Sequence, residues 1–390
     1  MPNRKIIVSV SNDLSNDQRV HRVCTSLQEF GFEVCLTGRK LRKSPIISRD
    51  YKTKRFHLLF NKGILFYACL NARLFWYAIF HKYDIILSND LDTLSGLAFA
   101  NLFKRKKLIY DSHELFTEVP ELQNKTLKKK VWLKLEALFI KKAKAHYTVC
   151  QPIADYYNEL YKIDMKVVRN LPFSSQFPDD YEKRENILIY QGALNKDRGI
   201  DLMIDAMQYI PDYKLLIAGK GDLEKELQNQ VEELSLQDRV IFTGNLDFKE
   251  LQKITKTAKI GFSLEQGTSL NYKYALPNKI FDYIQYGVPV LCSNLPEMSK
   301  IITDFKVGQS VNCKTGKELA NIIAELISKP DLLTDYHKNC KDAAKELNWE
   351  NEEQYLKKLF DYNVIIYFVC TKLGNNITIH SNHFPFDHKP

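Results

Sequence analysis

The chain has 390 residues, 45% hydrophobic and 26% charged, which suits two or three domains with their own cores and excludes disordered, collagen-like and low-complexity classes. Its formal net charge of +9 is uneven: residues 1–170 hold 30 Lys and Arg against 16 Asp and Glu, and residues 171–390 hold 26 against 31. A basic first half fits an anionic membrane surface or a phosphorylated substrate, and with no leader-like opening and no apolar run of about 18 residues, a membrane-spanning chain is not expected.

Residues 5–10 read as a β-rich strand. Residues 18–30 read as a helix, with Val20, Val23 and Leu27 at helical spacing. Gly31 ends it, and 32–37 reads as a second strand. There follow an aromatic-rich helix over 62–81, a buried-type strand over 84–87, a helix to Phe103, a strand over 107–110, a basic helix over 125–145 and a strand over 145–149. This alternation marks a parallel sheet covered on both faces. Residues 171–186, with Leu-Pro-Phe, Ser-Ser and Pro-Asp-Asp, lose all periodicity and read as a linker. The alternation then restarts, with strands over 187–190, 214–218, 239–243, 259–263 and 288–292. The fold expected is α/β, two doubly wound Rossmann-like domains (1–170 and 187–348) facing a cleft. A helix over 349–363 is expected to return to the first domain, and 364–390 reads as a loosely attached tail. The eight cysteines show no CxxC pair and no zinc-type spacing, as for buried, reduced thiols in a cytoplasmic protein.

In open α/β sheets the ligand lies beyond the carboxyl ends of the strands. After the first strand come Asn12, Asp13, Asn16, Asp17 and Arg19. There is no GxGxxG there, so a classical dinucleotide site is not expected, and Asn16 or Asp17 serves equally as a helix cap. Asn89, Asp90 and Asp92 follow the 84–87 strand as a cap or as contacts to sugar hydroxyls. Asp111-Ser112-His113-Glu114 puts a His at a strand end, read as the first turn of a helix that would keep the imidazole neutral. In the second half, Gly192 to Gly199 follows a strand, with Lys196 and Arg198 able to hold an anion. Leu276-Pro277-Asn278-Lys279 opens a helix whose free N–H groups suit a phosphate, and Asp282 lies one turn on from Asn278, on the same face.

Four of these segments, the turn at Asn16 to Arg19, Tyr110 to Glu114, Gly192 to Gly199 and Leu276 to Tyr283 with Gly287-Val288-Pro289-Val290, resemble the GT-B glycosyltransferases, in particular the retaining family 4, or glycosyl transferases group 1, over about residues 5–363. The resemblance implies a nucleotide-sugar donor on the second domain, through Gly192, Lys196, Arg198, Asn278, Lys279 and Asp282. It implies a saccharide or lipid-linked acceptor on the first, through Asn16, Asp17, Arg19, Asp111 and Glu114. His113, Arg198 and Glu265 are the catalytic candidates. Arg198 would neutralise the donor diphosphate, His113 would lie near the sugar, and Asp282 would hold the ribose. The chain departs from the family at two places. Ala193 stands where a second basic residue is usual, with Lys196 as a substitute. Tyr274 stands eight residues before Asp282 where many members have Glu, and Glu265 would take over that role.

The reaction implied is glycosyl transfer with departure of a nucleoside diphosphate, driven by fixed positive charge and needing no metal or other cofactor. Asp90-Leu-Asp92, the nearest approach to a metal-binding Asp-x-Asp, falls in the first domain. Two other readings stay open: a nucleotide-sugar epimerase of the same fold, and a non-catalytic partner subunit. The basic helix 125–145 sets Lys130, Lys134, Lys141 and Lys144 on one face and Val131, Leu135, Leu138 and Phe139 on the packed one; its basic side is either a solvated face or a peripheral contact with the inner face of an anionic membrane. Nucleic acid is not an expected partner, because aromatics do not interleave with the basic residues.

Overall fold

The computed structural model describes residues 4–15, 17–119, 122, 125–177 and 180–360. Asn16, the last three residues of the expected helix 349–363 and the 364–390 tail lie outside these. The first half contains seven strands: β1 (Lys5–Ser9), β2 (Glu33–Lys40), β3 (Lys52–His57), β4 (Ile85–Asn89), β5 (Lys107–Ser112), β6 (Ala145–Thr148) and β7 (Met165–Val167). They form a parallel sheet ordered β3-β2-β1-β4-β5-β6-β7. The second half contains β8 (Ile187–Gln191), β9 (Lys214–Ala218), β10 (Val240–Gly244), β11 (Ile260–Ser263), β12 (Val290–Ser293) and β13 (Gly308–Val311). Its sheet is also parallel, ordered β10-β9-β8-β11-β12-β13.

Each order reverses once, between β1 and β4 and between β8 and β11. Loops diverge there and leave a crevice at the carboxyl ends. β4 and β8 are buried at every position, which is why they read as continuous apolar runs. Sequence periodicity passes over β3, β7 and β13. β3 is a mostly exposed edge strand, Lys-Thr-Lys-Arg-Phe-His, whose charges block pairing with another chain and mask its strand character. β7 and β13 are three and four residues long, too short to show a period.

The helix Trp349–Phe360 crosses back to the first domain. Trp349, Leu356 and Phe360 pack with Val20, Leu27 and Phe32 on one face of that sheet. The Trp349 indole N–H donates to Ser26 Oγ at 2.8 Å, and Arg169 pairs with Glu352 at 3.0 Å. The 171–186 segment is more than a linker. Leu171 and Phe177 enter one core of the second domain and Tyr181 enters the other.

Two helices of the first domain depart from expectation. Gly63–Phe80 is, by length and composition, apolar enough to cross a membrane. It runs between β3 and β4 as a crossover, and Phe66, Leu70, Leu74 and Ala78 pack on the sheet side at four-residue spacing. Its ends are thereby tied to one sheet. The basic helix is Thr126–Phe139, followed by a 3₁₀ turn Ile140–Lys142. Its inward face runs through Trp132, Glu136 and Ile140, so Val131 and Leu138 are exposed rather than packed. Burial raises the Glu136 carboxyl to about 6, and Tyr157 and Tyr161 donate to it at 3.1 and 2.6 Å.

Trp349→Ala should lower stability by about 3–5 kcal/mol, the usual cost of emptying a large aromatic site. Urea unfolding would show it as a lower midpoint. An unchanged midpoint would mean that this helix does not complete the first core.

Candidate active site

The carboxyl ends of the two sheets face a cleft of about 830 Å³, lined from the first domain by Asn12, Asp17, Arg19, His113 and Glu114, and from the second by Gly192, Arg198, Asn278, Lys279 and Asp282. Helix and loop contacts hold the two walls together. Leu270, Tyr274 and Leu276 of the second domain pack on the first-domain core. The Asn271 side chain accepts from Leu115 N–H at 3.0 Å and donates to Glu114 at 2.9 Å. Cys150 Sγ donates to the Tyr274 carbonyl at 3.4 Å.

On the first wall, β5 ends in a charge network. Asp111 is fully buried and accepts from Arg19 Nε at 3.3 Å and Nη2 at 2.9 Å. Arg19 is itself buried and also donates to the Val168 carbonyl. His113 sits between two carboxylates, with Nδ1 3.2 Å from Asp90 and Nε2 3.1 Å from Asp111. Its backbone N–H donates to Asp90 at 2.8 Å. Burial opposes the imidazolium, but Asp90 and Asp111 outweigh it and raise the ring to about 9. Burial would likewise raise Asp111, yet Arg19 and His113 pull it down to about 2.

This corrects the expectation of a neutral His113. No helix begins there; the next element is the 3₁₀ turn Phe116–Glu118, and the flanking carboxylates hold the proton. Asp111, expected to touch the acceptor, has no exposed surface and positions Arg19 and His113 instead. Asp90 has φ of 57°, a conformation that turns its carboxylate onto His113 instead of capping its own helix. Asp17 caps the first helix, accepting from Val20 N–H at 3.0 Å and from Asn12 at 2.7 Å. Glu114 lines the cleft while holding Asn271. Asn16 lies outside the described residues.

The second wall is built on Glu265, at the end of β11 and only 1% exposed. One of its oxygens accepts from Lys279 Nζ and from Arg198 Nη1, the latter at 3.2 Å; the other accepts from Ser263 Oγ at 2.7 Å. Lys279 Nζ lies 4.3 Å from the Tyr190 ring centre and the Arg198 guanidinium 5.0 Å from that of Tyr272. Burial would raise Glu265, but Lys279 and Arg198 hold it below the usual carboxylate range. Burial pulls Lys279 down, and Glu265 opposes that. Arg198 Nε is buried with no hydrogen-bond partner among the described residues. Local backbone makes this arrangement possible. Gly199 has φ of +67°, and a Cβ there would lie 2.4 Å from the Leu264 carbonyl oxygen; only glycine lets the 192–199 loop lie against β11. Lys279 is the second residue of the helix Asn278–Gln285, which follows Pro277 at φ −65°.

Glu265 therefore lies beneath the two cations, away from the cleft surface, and is a positioning group in place of the expected sugar contact. Lys196, the substitute for the basic residue absent at 193, is exposed and does not line the cleft. Lys279 is the cation that partners Arg198. Asp282, one turn further, accepts from Gln191 at 2.8 Å; burial raises it to about 6, against the pull of Arg22 from the first domain. Asn271, Arg22, Gln191 and Tyr190 are contributors that the sequence reading missed. None carries a motif signal, because each acts through contacts between distant segments.

Two outcomes are expected. The folded His113 pKa lies above its ordinary value of 6.5, so its contribution is full below that value and is lost as pH rises through about 9. Thermal stability should fall over that alkaline window in wild type and much less in His113→Gln, as melting curves between neutral pH and about 10 would show. Glu265→Gln leaves two cations without their counter-charge and should cost about 3–5 kcal/mol, partly restored by a nucleoside diphosphate. A wild-type melting temperature for that variant would refute the triad.

Residues 17–171 match the family model described as Glycosyltransferase Family 4, and residues 174–347 the one described as Glycosyl transferases group 1. The chitobiosyldiphosphodolichol beta-mannosyltransferase of Kluyveromyces lactis is 24% identical over 349 residues, 76% of this chain and 77% of that one. An O-antigen chain mannosyltransferase of Salmonella typhimurium is 25% identical over 255 residues, 60% and 69% of the two chains. Among solved structures, sucrose-phosphate synthase of Thermosynechococcus elongatus superposes with a TM-score of 0.75 at 18% identity, over 94% of this chain and 100% of that one, a likeness of fold. The two family models divide the chain as its two sheets do, and the chain belongs to the glycosyl transferases group 1, family 4, as a glycosyltransferase of GT-B fold.

Proposed function

We propose that the cleft moves a hexosyl group, mannose or a close relative, from a nucleoside-diphosphate donor to a lipid-linked or saccharide acceptor in cell-surface polysaccharide or glycolipid synthesis. The observation that carries this reading is the pair Arg198 and Lys279 over a single shared carboxylate. Two cations against one anion leave one positive charge unanswered at the cleft. In a partly enclosed cleft such charge is worth far more than in water. As the bond from the anomeric carbon to the diphosphate oxygen breaks, negative charge gathers on the leaving group, where Arg198, Lys279 and the helix start at Asn278 oppose it. The electron pair leaves with the diphosphate. The acceptor oxygen bonds the anomeric carbon and gives up its proton to the departing diphosphate oxygen. His113, protonated at neutral pH and held between Asp90 and Asp111, places an imidazolium beside the sugar rather than acting as base.

Fixed cations do the work assigned elsewhere to a metal, so the reaction proceeds without one. Asp282 holds the ribose, within reach of the helix start that binds phosphate. Asp17 and Glu114 frame the acceptor side. The fungal relative's name specifies a lipid diphosphate acceptor, and the basic helix Thr126–Phe139 suits peripheral contact with the inner, cytoplasmic face of an anionic membrane.

A thermal-shift panel of UDP, GDP, ADP and their sugars, each with EDTA, tests this reading. One nucleotide should stabilise wild type and lose at least about tenfold in affinity, about 1.4 kcal/mol, in Arg198→Ala or Lys279→Ala. Lys196→Ala should change little. Equal binding by wild type and Arg198→Ala would overturn the donor site, and loss of turnover on EDTA treatment would overturn the metal-free mechanism. Product configuration, from the anomeric proton coupling, is a further readout: the family resemblance implies retention, whereas the fungal relative's name specifies a beta-mannoside.

A further inference from the structure

The helix Gly63–Phe80 has two apolar faces. One packs on the sheet. The other, Leu65, Ala68, Ala72, Trp76 and Phe80, runs at helical spacing along the exposed side, with Arg73 as the helix's one charge. Trp76 is 54% exposed and Phe80 75%. The adjoining helix Leu91–Lys104 continues the surface with Phe99, Leu102 and Phe103, all exposed. Phe75 bridges the two helices, with ring centres 5.4 Å from Phe99 and 6.4 Å from Phe103. An outward apolar face of this extent needs a covering.

Charge identifies the covering. Across these two helices and the neighbouring Thr126–Phe139, the basic residues are Arg73, Lys104, Lys128, Lys129, Lys130 and Lys134. The acids are Asp92 and Glu136, and both are buried. Lys62, Lys82 and Arg105 stand at the helix ends. Apolar side chains beside cations, with the acids of the three helices withdrawn to the core and Lys129 tied to Glu118, match an anionic bilayer surface, in which rings enter the headgroup boundary and Lys and Arg meet phosphates. A second copy of the same face would set these cations against one another.

We propose that this aromatic face of the first domain docks on an anionic lipid bilayer, with Trp76, Phe80, Phe99 and Phe103 inserted. The proposal extends the membrane contact put forward with the function above from the basic helix to a three-helix surface. All three helices begin at the carboxyl end of the sheet, where the cleft opens. The inserted rings lie in the later turns of Gly63–Phe80 and Leu91–Lys104, and the 18-residue first helix is about 27 Å long, so docking sets the cleft mouth about one helix length from the rings, within reach of a lipid-borne acceptor.

The test uses the full chain and vesicles of phosphatidylcholine with or without phosphatidylglycerol. Wild type should sediment with the anionic vesicles, less so at high salt, and its tryptophan emission should shift to the blue. Of the three tryptophans, Trp349 is buried and Trp132 half-buried, so Trp76→Phe should remove the shift and keep the binding. The combined variant W76S/F80S/F103S should lose at least about tenfold in vesicle affinity while binding its nucleotide as wild type does. K128E/K130E/K134E should abolish the preference for anionic vesicles. Wild-type vesicle binding by W76S/F80S/F103S overturns the proposal. So does the absence of vesicle binding in wild type, whether or not sedimentation velocity then shows a dimer that W76S/F80S/F103S disrupts. Nucleotide binding that fails in Arg198→Ala and survives in the surface variants leaves the transferase reading standing if docking fails.

Discussion

Two cations share one buried carboxylate, and the second wall of the cleft depends on that imbalance. Glu265 holds Arg198 and Lys279 close enough to act together and leaves one positive charge unanswered. Without it, two like charges in a weakly solvated site would repel, and Lys279 would more readily lose its proton. The rest of that wall serves the arrangement. Gly199 admits the loop bearing Arg198 against β11, Pro277 starts the helix bearing Lys279, and Ser263 fixes the far oxygen of the carboxylate. The first wall repeats the logic with opposite stoichiometry. There one imidazolium stands between two carboxylates, and Arg19 compensates the deeper one. The cleft thus has a cationic wall that is short of anions and a histidine whose proton is held in place by anions.

The two doubly wound sheets are legible in the sequence because central parallel strands are buried on both faces and read as short apolar runs. The strands that escape notice are those for which that physics fails: the charged edge β3 and the very short β7 and β13. Positions of residues in the site are legible where a loop follows a strand. Gly192, Arg198, Asn278, Lys279, Asp282 and His113 all reach the cleft. Their partners are not legible. Glu265 reads as a free carboxylate in its loop, and only the fold puts two cations over it. Asp90 and His113 are 23 residues apart, and no local pattern says that one sets the proton on the other. Val131 and Leu138 read as inward because apolar residues usually are; the buried Glu136, satisfied by two tyrosines, takes the core side instead.

The domains are joined more closely than a linker alone would allow. Tyr274 carries an aromatic ring against the first-domain core, and its carbonyl accepts from Cys150. Asn271 fastens Leu115 and Glu114 from the same short helix. The main chain also crosses between the domains twice, and the crossings are tied side by side. Trp349 N–H donates to the Pro172 carbonyl at 2.8 Å, and Ser174 bonds Glu350. Paired crossings favour rotation about one axis over sliding.

The return of Trp349–Phe360 to the first domain also governs the order in which the molecule can be completed. The strands and helices of that domain leave the ribosome first, yet the hydrophobic slot against Val20, Leu27 and Phe32 stays empty until Trp349 emerges. At cellular rates of translation that interval is roughly ten to forty seconds. Throughout it the nascent chain shows water an apolar groove shaped for a tryptophan still to be made. The second domain completes its own core only with Cys340, Ala343, Ala344 and Leu347, so both domains close almost together, when the last helix arrives.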